Sequence, residues 1–132
     1  MTQMILITGG LGFIGSHTAR ALLDLGESCV LVQRRAAVLP EALAGEAGER
    51  LAVEQADATD RAALSALGRR HPISGIVHLA AGAAGGPGDP VDTARAAVAS
   101  LLNVLEAARD WGVARVGVAS TSSTANWRPS RP

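Results

Sequence analysis

The chain has 132 residues, of which 48% are hydrophobic and 2% aromatic, with twelve Lys+Arg balanced by twelve Asp+Glu. Every basic residue is arginine and tyrosine is absent, which excludes a phenol general acid, Schiff-base chemistry and the lysine-dependent phosphate loop. Balanced charge without a basic tail argues against a nucleic-acid or membrane-surface partner.

At the amino terminus, Met1-Thr2-Gln3 carries no positive side chain, and the apolar run that follows ends in glycines. Neither a signal peptide nor a membrane span is expected there. Met4-Ile5-Leu6-Ile7-Thr8 reads as a strand buried on both faces of a parallel sheet. From Ile14 to Leu25, the positions Ile14, Thr18, Ala21, Leu22 and Leu25 recur at helical spacing, and Gly26 supplies the left-handed residue that ends the helix. Cys29-Val30-Leu31-Val32 is a second buried strand. Its lone cysteine cannot form an internal disulfide, which points to a reducing, cytoplasmic compartment.

Pro40 to Ala47 predicts a short helix, Leu51 to Gln55 a third strand, and Asp60 to Arg70 a helix with Ala63, Leu64 and Leu67 inward. Ile76-Val77-His78-Leu79 is a fourth strand. The small, kinked run from Ala80 to Pro90 reads as a loop. A long helix from about Val91 to Trp111 follows, with Val98, Leu101, Leu102 and Leu105 expected on its buried side and Gly112 stopping it. Val113 to Ala119 makes a fifth strand, and residues 120–132 form a polar tail.

Strands and helices alternating at this spacing imply right-handed crossovers and a three-layer α/β domain, with a doubly wound parallel sheet of about five strands spanning residues 1–132. The usual order, 3-2-1-4-5, leaves the fifth strand as an exposed edge, although parallel strands are normally covered. The domain therefore reads as cut short after that strand. A second copy or a completing chain is expected to cover the edge.

Between the first strand and the first helix lies Thr8-Gly9-Gly10-Leu11-Gly12-Phe13-Ile14-Gly15. The first glycines permit a tight turn, Gly12 lets the backbone approach a pyrophosphate, and Gly15 lets the helix pack on the strand. The helix N-terminus offers unpaired N–H groups to phosphates. The glycines parse as GxGxxG (Gly10, Gly12, Gly15) or as GxxGxxG (Gly9, Gly12, Gly15).

The second parse, with Thr8 before it and Phe13-Ile14 inside it, resembles the extended short-chain dehydrogenase/reductase family of NAD(P)-dependent epimerases, dehydratases and reductases. Asp57-Ala58, His78-Leu79-Ala80-Ala81, the helix run Asn103 to Arg109, and Ala119-Ser120-Thr121-Ser122-Ser123 fit that resemblance in order. It covers nearly all of this chain, but only the cofactor-binding half of a typical member. It implies a Rossmann-like fold in which Asp57 bonds the adenine amino group and Ala58 offers backbone groups to the ring. Leu79, Ala80 and Ala81 would line the cofactor.

The end of the second strand bears on which cofactor binds. An acidic residue there binds the ribose hydroxyls of NAD, but this chain has Gln33 followed by Arg34 and Arg35. Guanidinium groups would pair with a 2′-phosphate. NADP(H) is therefore favoured over NAD, against a plain solvated Arg pair.

The resemblance also implies a Ser or Thr after the fifth strand and a Tyr-x-x-x-Lys pair. Thr121 stands at the first position, with Ser122 beside it; the Tyr and Lys have no counterpart, and a further family Asn falls at Ala97. Dinucleotide binding without turnover is thus expected. The alternatives are a free-standing binding or sensor module, a subunit completed by another chain, or unrelated chemistry at Thr121, Ser122 or His78. His78, lacking a second ligand at metal spacing, reads as a satisfied core histidine, Cys29 as inert, Trp111 as packing and Asn103 as a helix-surface amide. Trp127, with Arg128 and Arg131, would cover the sheet edge or anchor a partner.

Overall fold

The sheet is built outward from the strand β1 (Met4–Thr8), which lies at its centre because both of its faces and both of its edges are covered. A computed structural model of the chain describes residues 2–35, 39–46, 48–80 and 89–119. In chain order β1 is followed by the helix α1 (Phe13–Asp24), β2 (Cys29–Gln33), β3 (Leu51–Gln55), α2 (Arg61–Arg70), β4 (Ile73–His78), α3 (Pro90–Trp111) and β5 (Arg115–Val118). The five strands run parallel in the order β3-β2-β1-β4-β5. This is the doubly wound Rossmann arrangement, and its strand order reverses between β1 and β4.

Side chains alternate across the strands and fill two cores. On one face Leu6, Val30, Val32 and Ile76 meet Leu64 and Leu67 of α2 and Val104, Ala107 and Ala108 of α3. On the other, Ile7, Cys29 and Leu31 meet Ala19 and Leu23 of α1, with Leu43. Each large aliphatic side chain removed from water in this way stabilises the fold by about 1.5–3 kcal/mol before side-chain entropy is charged against it. Burial pushes the Cys29 thiol up to about 11, so it behaves as a small hydrophobe.

Several elements differ from the sequence reading. In place of the helix expected over Pro40–Ala47 there is a 3-10 turn, Glu41–Leu43; among the described residues of that run, Leu43 is the one apolar anchor to reach the core. β4 begins at Ile73 and ends at His78, while β5 is confined to Arg115–Val118. In α1 the buried positions are Gly15, Ser16, Ala19 and Leu23, one residue on from the apolar stripe; Ile14 and Leu25 are exposed.

The correction at α3 is larger. Ser100, Val104, Ala107 and Ala108 are its buried residues, whereas Val98, Leu102 and Leu105 are 57%, 56% and 45% exposed. The helix lays its small side chains on the sheet and on α2, where a close approach requires them, and turns its larger aliphatics outward. Trp111 packs against the core beside α2, where its indole occupies the space that a Cβ on Gly68 would take. The left-handed Gly112 then ends α3, its N–H donating to Arg109.

Candidate functional site

The carboxyl ends of the parallel strands carry Thr8, Gln33, Gln55 and His78, and a cleft of about 700 Å³ opens over them. Ligand pockets typically span about 300–1,000 Å³, and in open α/β sheets they lie at this switch point. Gly9, Gly12, Gln33, Arg34, Arg35, Asp57, Ala58, Leu79 and Ala80 border the cleft, so strand ends and loops far apart in sequence meet there. Ala81, Thr121 and Ser122 lie outside the described residues, as do Trp127 and the rest of the tail.

The glycine-rich turn is held by backbone bonds. The Gly9 and Gly10 amides donate to the Val32 carbonyl at 2.9 and 3.3 Å, and the Gly12 amide donates to Gly9 at 3.1 Å. Gly9 has a φ of 69°, the left-handed region that glycine enters without strain; Gly10 does not share it. A Cβ on Gly15 would collide with the Gly9 carbonyl oxygen and the Gly10 Cα, which is the close loop–helix approach expected of that position. Phe13 and Ile14 do not line the cleft; their side chains are 81% and 64% exposed. Both belong to the first turn of α1.

That first turn is distinctive. Asp60 caps α2 by accepting from the Ala63 amide, and Asp89 caps α3 by accepting from the Val91 amide. No side chain caps α1, whose N-cap is Gly12, and its first turn holds no acidic residue. Its leading N–H groups and the positive end of its dipole are left for an anion.

On the opposite wall, the Asp57 carboxylate accepts from the Thr59 amide at 2.9 Å and the Thr59 hydroxyl at 2.8 Å through the same oxygen, Oδ1. These bonds, with the Arg34 charge adding to them, hold its pKa below the usual carboxylate range. Oδ1 thus builds the turn, and Oδ2 remains to meet a ligand donor. Arg34 and Arg35 stand exposed on the rim, and neither makes an ion pair among the described residues. The Gln33 Oε1 is the one side-chain polar atom among the described residues that is buried without a partner.

Other lining groups were missed from the sequence. Asp92, Thr93, Ala96 and Ser100 of α3 also border the cleft. Thr93, Ala96, Ser100 and Asn103 recur three or four residues apart, a small and polar stripe that marks the inward face of α3 more faithfully than its leucines do. Asn103 is not a plain surface amide, since its Nδ2 donates to the Ala58 carbonyl at 2.9 Å. His78 is buried with its Nδ1 2.7 Å from the Thr8 hydroxyl, and burial lowers its pKa. No group of metal-ligating side chains occurs among the described residues.

The residues present fit a dinucleotide. Gly12 leaves the cleft side of the loop without a side chain, Gly15 lets the loop close on α1, the adjoining helix end is uncapped, and an unmatched acceptor sits where β2 ends.

Comparison with known proteins agrees. Residues 5–132 match the model of the NAD dependent epimerase/dehydratase family. UDP-glucose 4-epimerase 2 of Arabidopsis thaliana is 31% identical over 140 aligned positions, covering all of this chain and 40% of the relative. Among solved structures, the Bordetella bronchiseptica enzyme WbmG in complex with NAD and UDP superposes with a TM-score of 0.74 at 31% identity, over 86% of this chain and 36% of that one. A GalE-like L-threonine dehydrogenase from Cupriavidus necator, in its holo form, gives 0.71 at 34% identity, over 86% and 35%. The chain thus spans about two fifths of the length of the Arabidopsis relative.

Proposed function

The chain belongs to the NAD dependent epimerase/dehydratase family, and on that premise we propose that it is the dinucleotide-binding portion of an enzyme of this class, seating the cofactor in the cleft above β1 and β4. The observation that carries the reading is the uncapped α1 behind a glycine turn that has no space for a side chain at Gly10 or Gly15. The pyrophosphate would lie against the first turn of α1, the adenosine between Gln33 and Asp57, and the nicotinamide toward Leu79 and Ala80. When bound, the cofactor supplies hydride exchange; these residues hold and orient it.

We assign NADP(H) as the favoured form. Arg34 and Arg35 offer two guanidinium groups to a 2′-phosphate, and β2 ends without a carboxylate to repel it. The specific observation favouring NAD is the unpartnered Gln33 Oε1, which suits a ribose hydroxyl donor, and WbmG was solved with NAD. Calorimetric titration with NADPH and NADH separately decides between them. Tighter NADPH binding supports the Arg pair; equal or weaker NADPH binding overturns the preference.

The resemblance calls for a Tyr phenol that exchanges a proton and a Lys that tunes it, and these 132 residues hold neither. The proposal is therefore binding without turnover, with Thr121 and Ser122 as the remaining hydroxyls of that machinery. NADPH oxidation by the purified chain with a carbonyl or nucleotide-sugar substrate would refute it. A UDP-glucose epimerase and an L-threonine dehydrogenase both match this portion, so the reaction of any complete enzyme is set by groups outside it.

β5 is the edge of the sheet among the described strands, and this, with the outward aliphatics Val118, Val98, Leu102 and Leu105, supports a polypeptide partner, either a second copy or a completing chain. Light scattering that finds only monomer at high concentration counts against the second copy. No described helix is long and apolar enough to cross a membrane, and the buried lone thiol suits a reducing cytoplasmic compartment.

A further inference from the structure

The seam between β1 and β4 carries a buried polar cluster that cofactor contact does not explain. Thr8 and His78 are the last residues of their strands and stand in register; both are buried. Three groups meet the Thr8 hydroxyl oxygen: the Leu79 amide at 3.0 Å, which it shares with the Thr8 main-chain carbonyl at 3.2 Å, the Ala80 amide at 3.2 Å and the His78 Nδ1 at 2.7 Å.

A hydroxyl has two lone pairs and one proton. The two amides can only donate, so they take the lone pairs. The proton must then go to His78 Nδ1, which is an acceptor only when the ring is neutral and its own proton lies on Nε2. The other tautomer, or an imidazolium, would press a third donor on an oxygen with no lone pair left and strand the hydroxyl proton in a buried site.

We propose that His78 is a positioning residue for the cofactor cleft: fixed as the Nε2–H tautomer, it accepts the Thr8 proton and so aims that oxygen's lone pairs at the Leu79 and Ala80 amides. The consequence reaches the cleft because Leu79 and Ala80 line it and because the glycine turn rests on them. A Cβ on Gly9 would meet the Ala80 nitrogen at 3.2 Å and the Leu79 carbonyl carbon at 3.3 Å. One hydroxyl thereby sets the spacing between the phosphate loop and the end of β4. This role rests on the dinucleotide reading above.

The test combines ring ¹⁵N NMR and amide exchange on the whole chain with NAD titration of variants. The expected spectrum shows His78 with a bare Nδ1 and a protonated Nε2, its signal assigned by loss in His78→Asn. Thr8→Ser, which keeps the hydroxyl, should bind NAD within about threefold of the parent, whereas Thr8→Val should lose about tenfold or more. Protection of the Ala80 amide should fall in Thr8→Val and stay in Thr8→Ser, while the Leu79 amide keeps the Thr8 main-chain carbonyl as acceptor in both. His78→Asn, which keeps an acceptor near the Nδ1 position, should bind better than His78→Leu. A ring protonated on Nδ1 overturns the proposal even if every variant fails to fold. Parental NAD affinity and Ala80 amide protection in Thr8→Val do the same. A parent chain that shows the tautomer and the protected amides but binds no NAD refutes the dinucleotide reading and this role with it; a parent that binds NAD without them refutes the role alone.

Discussion

Asn103, in the middle of α3, donates its side-chain amide to the main-chain carbonyl of Ala58, 2.9 Å away and 45 residues earlier in the chain. The bond ties the helix to the turn that presents Asp57 to the cleft. Asn103→Leu leaves the part-buried Ala58 carbonyl without its donor, so stability should fall by about 1–3 kcal/mol. Dinucleotide affinity should fall about fivefold through the loosened turn. Chemical denaturation and calorimetry read the two effects, and unchanged affinity would confine Asn103 to a stability role.

The glycine turn separates two kinds of damage. On Gly15 a side chain collides with main-chain atoms of Gly9 and Gly10, so Gly15→Ala should destabilise the fold itself by about 1–3 kcal/mol as well as abolish binding. On Gly12 the nearest obstacle to a Cβ is the Gly9 oxygen at 3.3 Å, and the backbone is extended. Gly12→Val should therefore stay folded with a smaller drop in melting temperature, yet lose dinucleotide affinity by about 100-fold or more as the side chain fills the phosphate seat. Parental affinity in the folded Gly12→Val chain would refute the loop assignment.

Replacing Arg34 and Arg35 together by Ala should lower NADPH affinity about 10- to 100-fold, as expected for one or two charge-assisted bonds, and alter NADH affinity less than about threefold. The loss should shrink as salt rises, since the guanidinium groups are exposed. If neither affinity moves, the pair is simply solvated.

Gly68 and Trp111 should show coupling of changing sign. Gly68→Ala alone forces the indole out of its seat and should cost about 1–3 kcal/mol. In a Trp111→Ala background the seat is empty, and the same substitution should stabilise α2 by up to about 1 kcal/mol, the helix preference of Ala over Gly. A double-mutant cycle by urea unfolding measures the difference, and additive effects would show that the indole sits elsewhere in solution.

Acid should weaken the fold in two stages. Burial holds the His78 pKa below its ordinary value, so the unfolded chain takes up the proton more readily; its contribution is complete above about pH 6.5 and is lost as the pH falls from there through the folded value. The Glu54 carboxylate, held low by Arg70 and His71, and Asp57, held low by Thr59, follow; theirs is present above about pH 4 and lost below it. Melting temperature against pH reads both limbs, and His78→Asn should remove the one that sets in as the pH falls below about 6.5.

Strand β1, the order of the sheet and the glycine turn were legible in the sequence because continuous apolar runs and glycine spacing report burial and backbone shape directly. The orientation of α3 was not. Ranking its residues by hydrophobicity selects Val98, Leu102 and Leu105, whereas distance to the sheet selects Ser100, Val104 and Ala107; small side chains win where backbones must approach closely. The Asn103–Ala58 bond was equally hidden, since a side chain reaching a carbonyl 45 residues away leaves no local pattern. At the glycine turn the motif marks a stretch that does border the cleft at Gly9 and Gly12, but the side chains of Phe13 and Ile14 point away from it, which residue identity does not encode.

The central place of β1 also constrains the order of folding. Met4–Thr8 precedes the other described strands in the chain, yet its β4 neighbour arrives some 70 residues later, as the separation of Thr8 from His78 records. Until then one edge of the middle of the sheet has no partner, and the loop to be closed is long enough to make that pairing a slow, late step. Docking of β4 at once caps the open edge and brings Leu79 and Ala80 under the glycine turn. A nascent chain therefore covers the open edge of β1 in the same step that sets the floor of its cleft, and ligand binding would report that β4 has docked.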